Sequence, residues 1–142
     1  EPKFMPATKR GGTQRARLVA TLDQIFSRYI RLRVCDEYGY SECFTCGVRR
    51  HWKEVDAGHF ITRAKFATRW DPVNVQFQCK RCNMNGGKQF EFGLKIDGIY
   101  GEGTAQEILI KSQRPARYSI ADLEQMIRLY KSEVGKLEGI VG

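Results

Sequence analysis

Cys43-Phe44-Thr45-Cys46, then Asp56-Ala57-Gly58-His59, then Cys79-Lys80-Arg81-Cys82-Asn83: the stretch from residue 43 to residue 83 decides the fold of this chain. It holds two Cys-x-x-Cys knuckles with 32 residues between them. In each knuckle the turn aims both sulfurs inward, and four thiolates close a tetrahedral zinc site that keeps no open position for a substrate. Any chemistry therefore belongs to the polar residues left over, which are Asp56, His59, Asn74 and Asn83. The fifth cysteine, Cys35, stands alone and reads as core packing. This distribution fits zinc in a reducing compartment better than a secreted disulfide scaffold.

Outward from the knuckles, the residue pattern gives the local structure. Val55 to Ile61 reads as a strand and Asp71-Pro72 as a turn, while Val73 to Gln78 reads as a second extended segment. A short helix is expected from Asn83, with Asn83 as its possible N-cap and Gly86-Gly87 weakening it. Upstream, Leu18, Leu22, Ile25, Phe26, Tyr29 and Ile30 recur at helical spacing behind Thr13, a good N-cap. They predict a helix over 14–36, stopped near Gly39. Downstream, residues 105–111 predict a short helix. Ser119 with Asp122 forms a capping box, and Leu123, Met126, Ile127, Tyr130, Val134 and Leu137 predict a helix over 120–138. The fold class is α+β: a zinc-stapled ββα-metal core flanked by two long amphipathic helices. Residues 1–12 read as a flexible basic arm and 13–142 as a single domain.

The chain has 142 residues, 42% of them apolar and 28% charged, an ordinary globular balance. No apolar run is long enough for a membrane span, and no signal peptide is indicated. The net charge of +8 is uneven. Residues 1–33 carry eight Lys/Arg against two acids, whereas the segment after residue 82 balances at eight against eight. Lys9, Arg10, Arg15, Arg17, Arg28, Arg31 and Arg33 make the footprint of a phosphate-binding surface, or else a solvated helix face.

Hydrolysis of a phosphodiester needs an activated water and a divalent ion to neutralise developing charge. His59 titrates near neutrality and suits the base. Mg2+ or Mn2+ is satisfied by few protein oxygens, and Asp56 with Asn83 offers one carboxylate and one amide. Asn74 is expected to fix the neighbouring loop and so the angle of His59. Each residue also has a plainer reading: a hydrogen-bonded structural histidine, a turn-capping asparagine, a helix cap. His51 reads as a surface residue within reach of DNA.

The run of Cys-x2-Cys, Asp-Ala-Gly-His, Arg69-x4-Asn74, Gln78-Cys79-x2-Cys82-Asn83 and Gly86-Gly87-Lys88 resembles the HNH or ββα-metal nucleases. More narrowly it resembles the lambdoid-phage NinG/Rap recombination nucleases, from the first helix to Tyr118-Ser119-Ile120, over residues 15–138. It is also similar to phage T4 endonuclease VII, where four cysteines hold zinc and the asparagine after the last one binds the catalytic ion. The resemblance implies a phage endonuclease of the bacterial cytoplasm that nicks branched DNA such as Holliday junctions and D-loops. It implies His59 as base, Asn83 as ligand of the catalytic ion, Asn74 as loop-fixing residue and Cys43, Cys46, Cys79 and Cys82 as zinc ligands. Arg63, Lys65, Arg69 and Lys88 join Arg15 and Arg17 as candidate DNA contacts.

One position departs from that pattern. Relatives of the wider fold carry the metal-binding Asp directly before the His, and here that residue is Gly58. Asp56 lies on the same strand face, displaced by about 6 to 7 Å, and is expected to take its place, with His59 or Asp71 as substitutes. Two other functions fit parts of the sequence: a zinc-stabilised DNA-binding module without catalysis, and an HNH nuclease that reads duplex sequence. Symmetric nicks at a junction would call for a homodimer through a terminal helix, whose apolar stripe serves equally for packing within the chain.

Overall fold

The computed structural model describes residues 13–141, so the arm expected over 1–12 lies outside the described residues. The elements in order are α1 (Gln14–Leu32), β1 (Tyr40–Glu42), β2 (Arg49–His51), β3 (Val55–His59), α2 (Phe66–Arg69), β4 (Val75–Cys79), α3 (Lys80–Met84), α4 (Gln89–Tyr100), α5 (Thr104–Ser112) and α6 (Ile120–Glu138). Single 3-10 turns at Trp52–Glu54 and Gly86–Lys88 join β2 to β3 and α3 to α4.

Both long helices begin where their caps predict. The Thr13 hydroxyl accepts from the Ala16 N–H at 3.0 Å. Ser119 and Asp122 exchange two bonds, at 3.0 and 2.8 Å, as a complete capping box. The apolar stripes of α1 and α6 then face each other: Leu22, Phe26 and Ile30 pack with Leu123, Ile127 and Tyr130 around Trp70 and Val75. Phe26 meets Tyr130 edge-on at 5.0 Å, and burying each such side chain contributes about 1.5–3 kcal/mol. Arg28 ties the far end of the pair to Glu138 at 2.7 Å. These stripes therefore pack within one chain, while Leu129 of α6 stays exposed.

Two antiparallel ribbons carry the middle of the chain, β1 with β2 and β3 with β4. In the second, Asp56 lies opposite Gln78 and His59 opposite Val75. Every residue of β4 is buried, because α1 covers one face while the first knuckle and the Gly86–Gly87 turn lie against the other. β4 passes directly into α3, so a ribbon and a short helix meet at Cys79.

Several elements differ from the sequence reading, with β3 stopping at His59 and β4 running Val75–Cys79. α1 ends at Leu32, four residues early, and Gly39 (φ +90°) sits in the turn beyond, where a Cβ would approach His51 Nε2 to 2.5 Å. α3 starts at Lys80 with Cys79 as its cap, which places Asn83 inside the helix rather than at its N-cap. α4 was not expected at all. Its Phe92 and Ile96 build a satellite core with Ile108 of α5, backed by Phe44, Phe60, Ile61 and Val73.

Candidate functional site

The four cysteines converge from two places. Cys43 and Cys46 lie in the turn between β1 and β2, and Cys79 and Cys82 lie at the β4–α3 junction. Their sulfurs all fall within 4.8 Å of one another, with Cys46 Sγ and Cys79 Sγ 3.8 Å apart. A tetrahedron with zinc–sulfur bonds of 2.3 Å has an edge of about 3.8 Å, whereas a disulfide needs about 2.05 Å. Burial pushes the Cys82 thiol up to about 12, helped by its sulfur neighbours. Burial raises Cys43 too, but N–H groups of Cys79, Cys46 and Thr45 and the Thr45 hydroxyl outweigh it and bring the thiol down to about 6. The four cannot all ionise without a cation among them, and together they form a potential zinc site.

Beside this cluster opens a cleft of about 1100 Å³ bounded by α1, β3, the loop after it, and α3. Asp56, His59 and Asn83 all line it. Asn83 Nδ2 donates to Asp56 Oδ2 at 3.0 Å, so the strand carboxylate and the helix amide touch. Lys80, one helical turn before Asn83, reaches Asp56 Oδ1 at 2.8 Å. Burial raises the Asp56 carboxyl, but the bonds from Lys80 and Asn83 and the charge of Arg31 outweigh it, so the acid lies below its ordinary range.

His59 Nε2 lies 3.0 Å from the Arg69 carbonyl oxygen. A carbonyl only accepts, so Nε2 carries the proton and the Nδ1 lone pair is left to act as a base. Burial lowers the pKa of His59 below 6.5; the Arg69 carbonyl opposes this, while the charges of Arg63 and Arg69 add to it.

Asn74 does not touch His59. It is fully buried, and its amide pairs with Ile61 N–H (2.8 Å) and donates to the carbonyls of Ile61 (3.1 Å) and Thr68 (2.9 Å). It thereby closes the loop from 61 to 68, next to the Arg69 carbonyl that His59 contacts. Arg69, expected to contact DNA, is instead an internal strut. Its guanidinium grips Asp23 of α1 at 3.0 and 2.6 Å, and its side chain is only 14% exposed. Trp70 Nε1 adds a third bond to Asp23 at 3.0 Å.

The other candidate DNA contacts scatter. Arg63 lines the cleft at 60% exposure, 3.7 Å from Asp23, and Lys65 is exposed at the cap of α2. Arg17 is exposed on α1, and Arg15 bonds the Tyr118 carbonyl. Lys88 lies outside the cleft, in a smaller pocket. Part of the basic stripe on α1 has internal work: Arg33 holds the carbonyls of Pro72 and Val75, and Arg31 that of Trp52. Asp71 pairs with Lys111 at 2.8 Å, away from the cleft. His51 is half-buried against Tyr40 rather than free at the surface. Cys35 is half-buried with its thiol on the Arg31 carbonyl, and burial raises it to about 11. No helix among the described residues is long and apolar enough to cross a membrane.

The family model of the bacteriophage lambda NinG protein matches residues 8–139, a span that takes in both knuckles, the cleft and both terminal helices. The chain belongs to the NinG family. No curated protein and no solved structure matches it.

In this NinG-family chain Gly58, the position that departs from the wider nuclease pattern, has a packing reason. A Cβ there would lie 2.0 Å from Gln78 Oε1 and 2.9 Å from Gln78 Cβ. Gln78 cannot swing aside, because it is fully buried and its Nε2 donates to Thr45 Oγ1 (3.0 Å) and to the Gly87 carbonyl (2.9 Å). It ties the first knuckle to the turn after α3, and its Oε1 is the one buried side-chain polar atom among the described residues without a partner. Gly58→Ala is expected to cost about 1–3 kcal/mol in urea unfolding. Adding Gln78→Ala should recover part of that loss, and a loss unaffected by Gln78→Ala would remove this explanation.

Sequence reasoning missed Asp23, Lys53 and Lys80, and gave Gln78 no role although it stands in the run that carries the resemblance. Of the three, only Lys80 left a signal, standing three residues before Asn83 on one helix face.

Proposed function

We propose that this chain is a divalent-metal-dependent endonuclease that nicks branched DNA, with β3, β4 and α3 as its ββα-metal core and a structural zinc behind it. The observation that carries the reading is the contact of Asp56 with Asn83 in the cleft that also holds His59, whose Nε2 is committed to a carbonyl. One carboxylate and one amide oxygen fit Mg2+ or Mn2+, which keep most of their water.

When bound, the ion neutralises charge developing on the phosphate and its leaving oxygen. Asp56 and Asn83 would hold it. His59 would take the proton of the attacking water at Nδ1, its ring fixed by the Arg69 carbonyl. Asn74 and the Asp23–Arg69 pair keep that carbonyl in place. Lys53 and Arg63, on two sides of the cleft, supply positive charge for the strand being cut. The zinc takes no part in the chemistry and aligns β4 with α3.

The test is a labelled four-way junction and a linear duplex of the same sequence, each incubated with Mg2+ across pH. The junction should be nicked and the duplex spared; equal cleavage of both contradicts branch selectivity, and cleavage of neither favours a zinc-stabilised binding module. Since burial lowers the His59 pKa below 6.5, the neutral base predominates at neutral pH. The rate should therefore climb from acid pH with a midpoint below 6.5 and level off by neutrality. A limb that persists unchanged in a His59 variant would contradict the assignment.

A further inference from the structure

Helix α3 has two working faces. Lys80 and Asn83, at i and i+3, turn toward the cleft, while Arg81 and Asn85, at i and i+4, turn toward a second pocket of about 380 Å³. The walls of that pocket are Thr45 and Cys46 of the first knuckle, Cys82, Lys88 and Glu91. Lys88 is placed there by a run of left-handed backbone, Gly86, Gly87 and then Lys88 itself at φ +53°, the one non-glycine residue with positive φ among those described.

The cations of the two faces differ in how they are engaged. On the cleft side Lys80 is paired with Asp56, Arg69 and Arg63 with Asp23, Arg31 is bonded to the Trp52 carbonyl, and Lys53 lies over the Trp52 ring. Arg81 and Lys88 have no side-chain hydrogen bond or ion pair among the described residues. Two unpaired cations, a hydroxyl and an amide share one concavity with the Glu91 carboxylate and the sulfurs of Cys46 and Cys82.

We infer that this pocket binds a backbone phosphate of a second DNA segment, on the far side of α3 from the strand in the cleft. A helix is about 10–12 Å across, so α3 would stand between two backbones, as at a branch where two arms converge. The inference rests on the reading of the chain as a DNA-acting protein and is independent of the cleavage step. Charge complementarity favours DNA, since the chain carries a net +8.

The test measures junction and duplex affinity against salt concentration without added Mg2+ or Mn2+, so that a chain unable to cleave gives the same readout. Each lost phosphate contact makes the log–log salt slope shallower by about 0.9. Arg81→Gln/Lys88→Gln should make the slope shallower by about 0.9 on the four-way junction, with little change on linear duplex. Zinc content is checked because Arg81 neighbours Cys82. Lys88→Gly keeps the fold safe, since glycine accepts positive φ, and should make the slope shallower by part of that ~0.9. Lys131→Gln, an exposed charge on α6, controls for net charge and should leave the slope unaltered. An unchanged slope in Lys88→Gly, or an equal change on junction and duplex, overturns the proposal. So does a pocket that answers only to inorganic phosphate, seen as phosphate-induced amide shifts over 81–88 that vanish in the double variant while DNA binding is untouched.

Discussion

Replacing His59 with Ala is expected to slow nicking of a four-way junction by about 10²–10⁴-fold in single-turnover assays, with junction affinity retained. The expectation follows from the division of labour inside the ring. Nε2 is held by the Arg69 carbonyl at 3.0 Å, so Nδ1 is the only atom left to accept a proton. On the proposed reading phosphate binding would rest on lysines and arginines elsewhere, and so affinity should survive. His59→Asn is the informative companion, because its amide can still donate to a nearby carbonyl but supplies no base near neutral pH. It should be as slow as His59→Ala and more stable, since the alanine leaves the Arg69 carbonyl without its partner at a cost of about 1–3 kcal/mol. Nicking by His59→Ala at the parental rate would show that another group activates the water and would sink the assignment of the base.

What could be read in the sequence was local. The capping box fixed α6 to its first residue, and Thr13 did the same for α1, because cap chemistry spans only three residues. Asp56 and Asn83 were legible as partners for a similar reason, one by strand alternation and the other by its place after Cys82. The contacts that complete the cleft are remote. Asp23 and Arg69 lie 46 residues apart, and nothing near Arg69 distinguishes a strut from a DNA contact.

The same limit hid α4. Gly93 and Gly98 lower its helix propensity by about 1 kcal/mol each, yet Gly93 is where Phe60 crosses the helix, with its ring 3.2 Å from any added Cβ. Gly58 is the clearest case. Sequence comparison with the wider nuclease pattern sees a missing acid there, whereas the fold needs a missing side chain, because Gln78 already occupies the space. The lysine at position 88 was singled out for phosphate contact, but whether it faced the cleft depended on three successive left-handed residues that no periodicity announces.

Removing zinc should have the largest effect on stability. Cys43, Cys79 and Cys82 are almost wholly buried, at 1%, 5% and 2% exposure, and they form a core cluster with little beside them except Val48. An apolar cluster of that size contributes little by itself, so a zinc ion bound there would add the strongest tie between the first knuckle and the β4–α3 junction, beside the bonds of Phe44 to Phe77 and of Gln78 to Thr45. Structural zinc in small peptides is worth about 10–16 kcal/mol at neutral pH, as much as the whole stability of an ordinary domain. Cys79→Ser, or exhaustive chelation, should therefore abolish cooperative thermal unfolding of the metal-bound form. Hydrogen exchange should localise the damage. Protection is expected to vanish over 40–59 and 75–84 and to persist in part over α1 and α6, which share an apolar core of their own. Because Asn83 sits on the helix that zinc would anchor and Asp56 on the strand paired with β4, their contact should be lost in the same step. A zinc-free protein with unchanged melting and unchanged protection over 75–84 would mean that the four sulfurs pack without a metal, and the role of scaffold would pass to Gln78 and its bonds to Thr45 and Gly87.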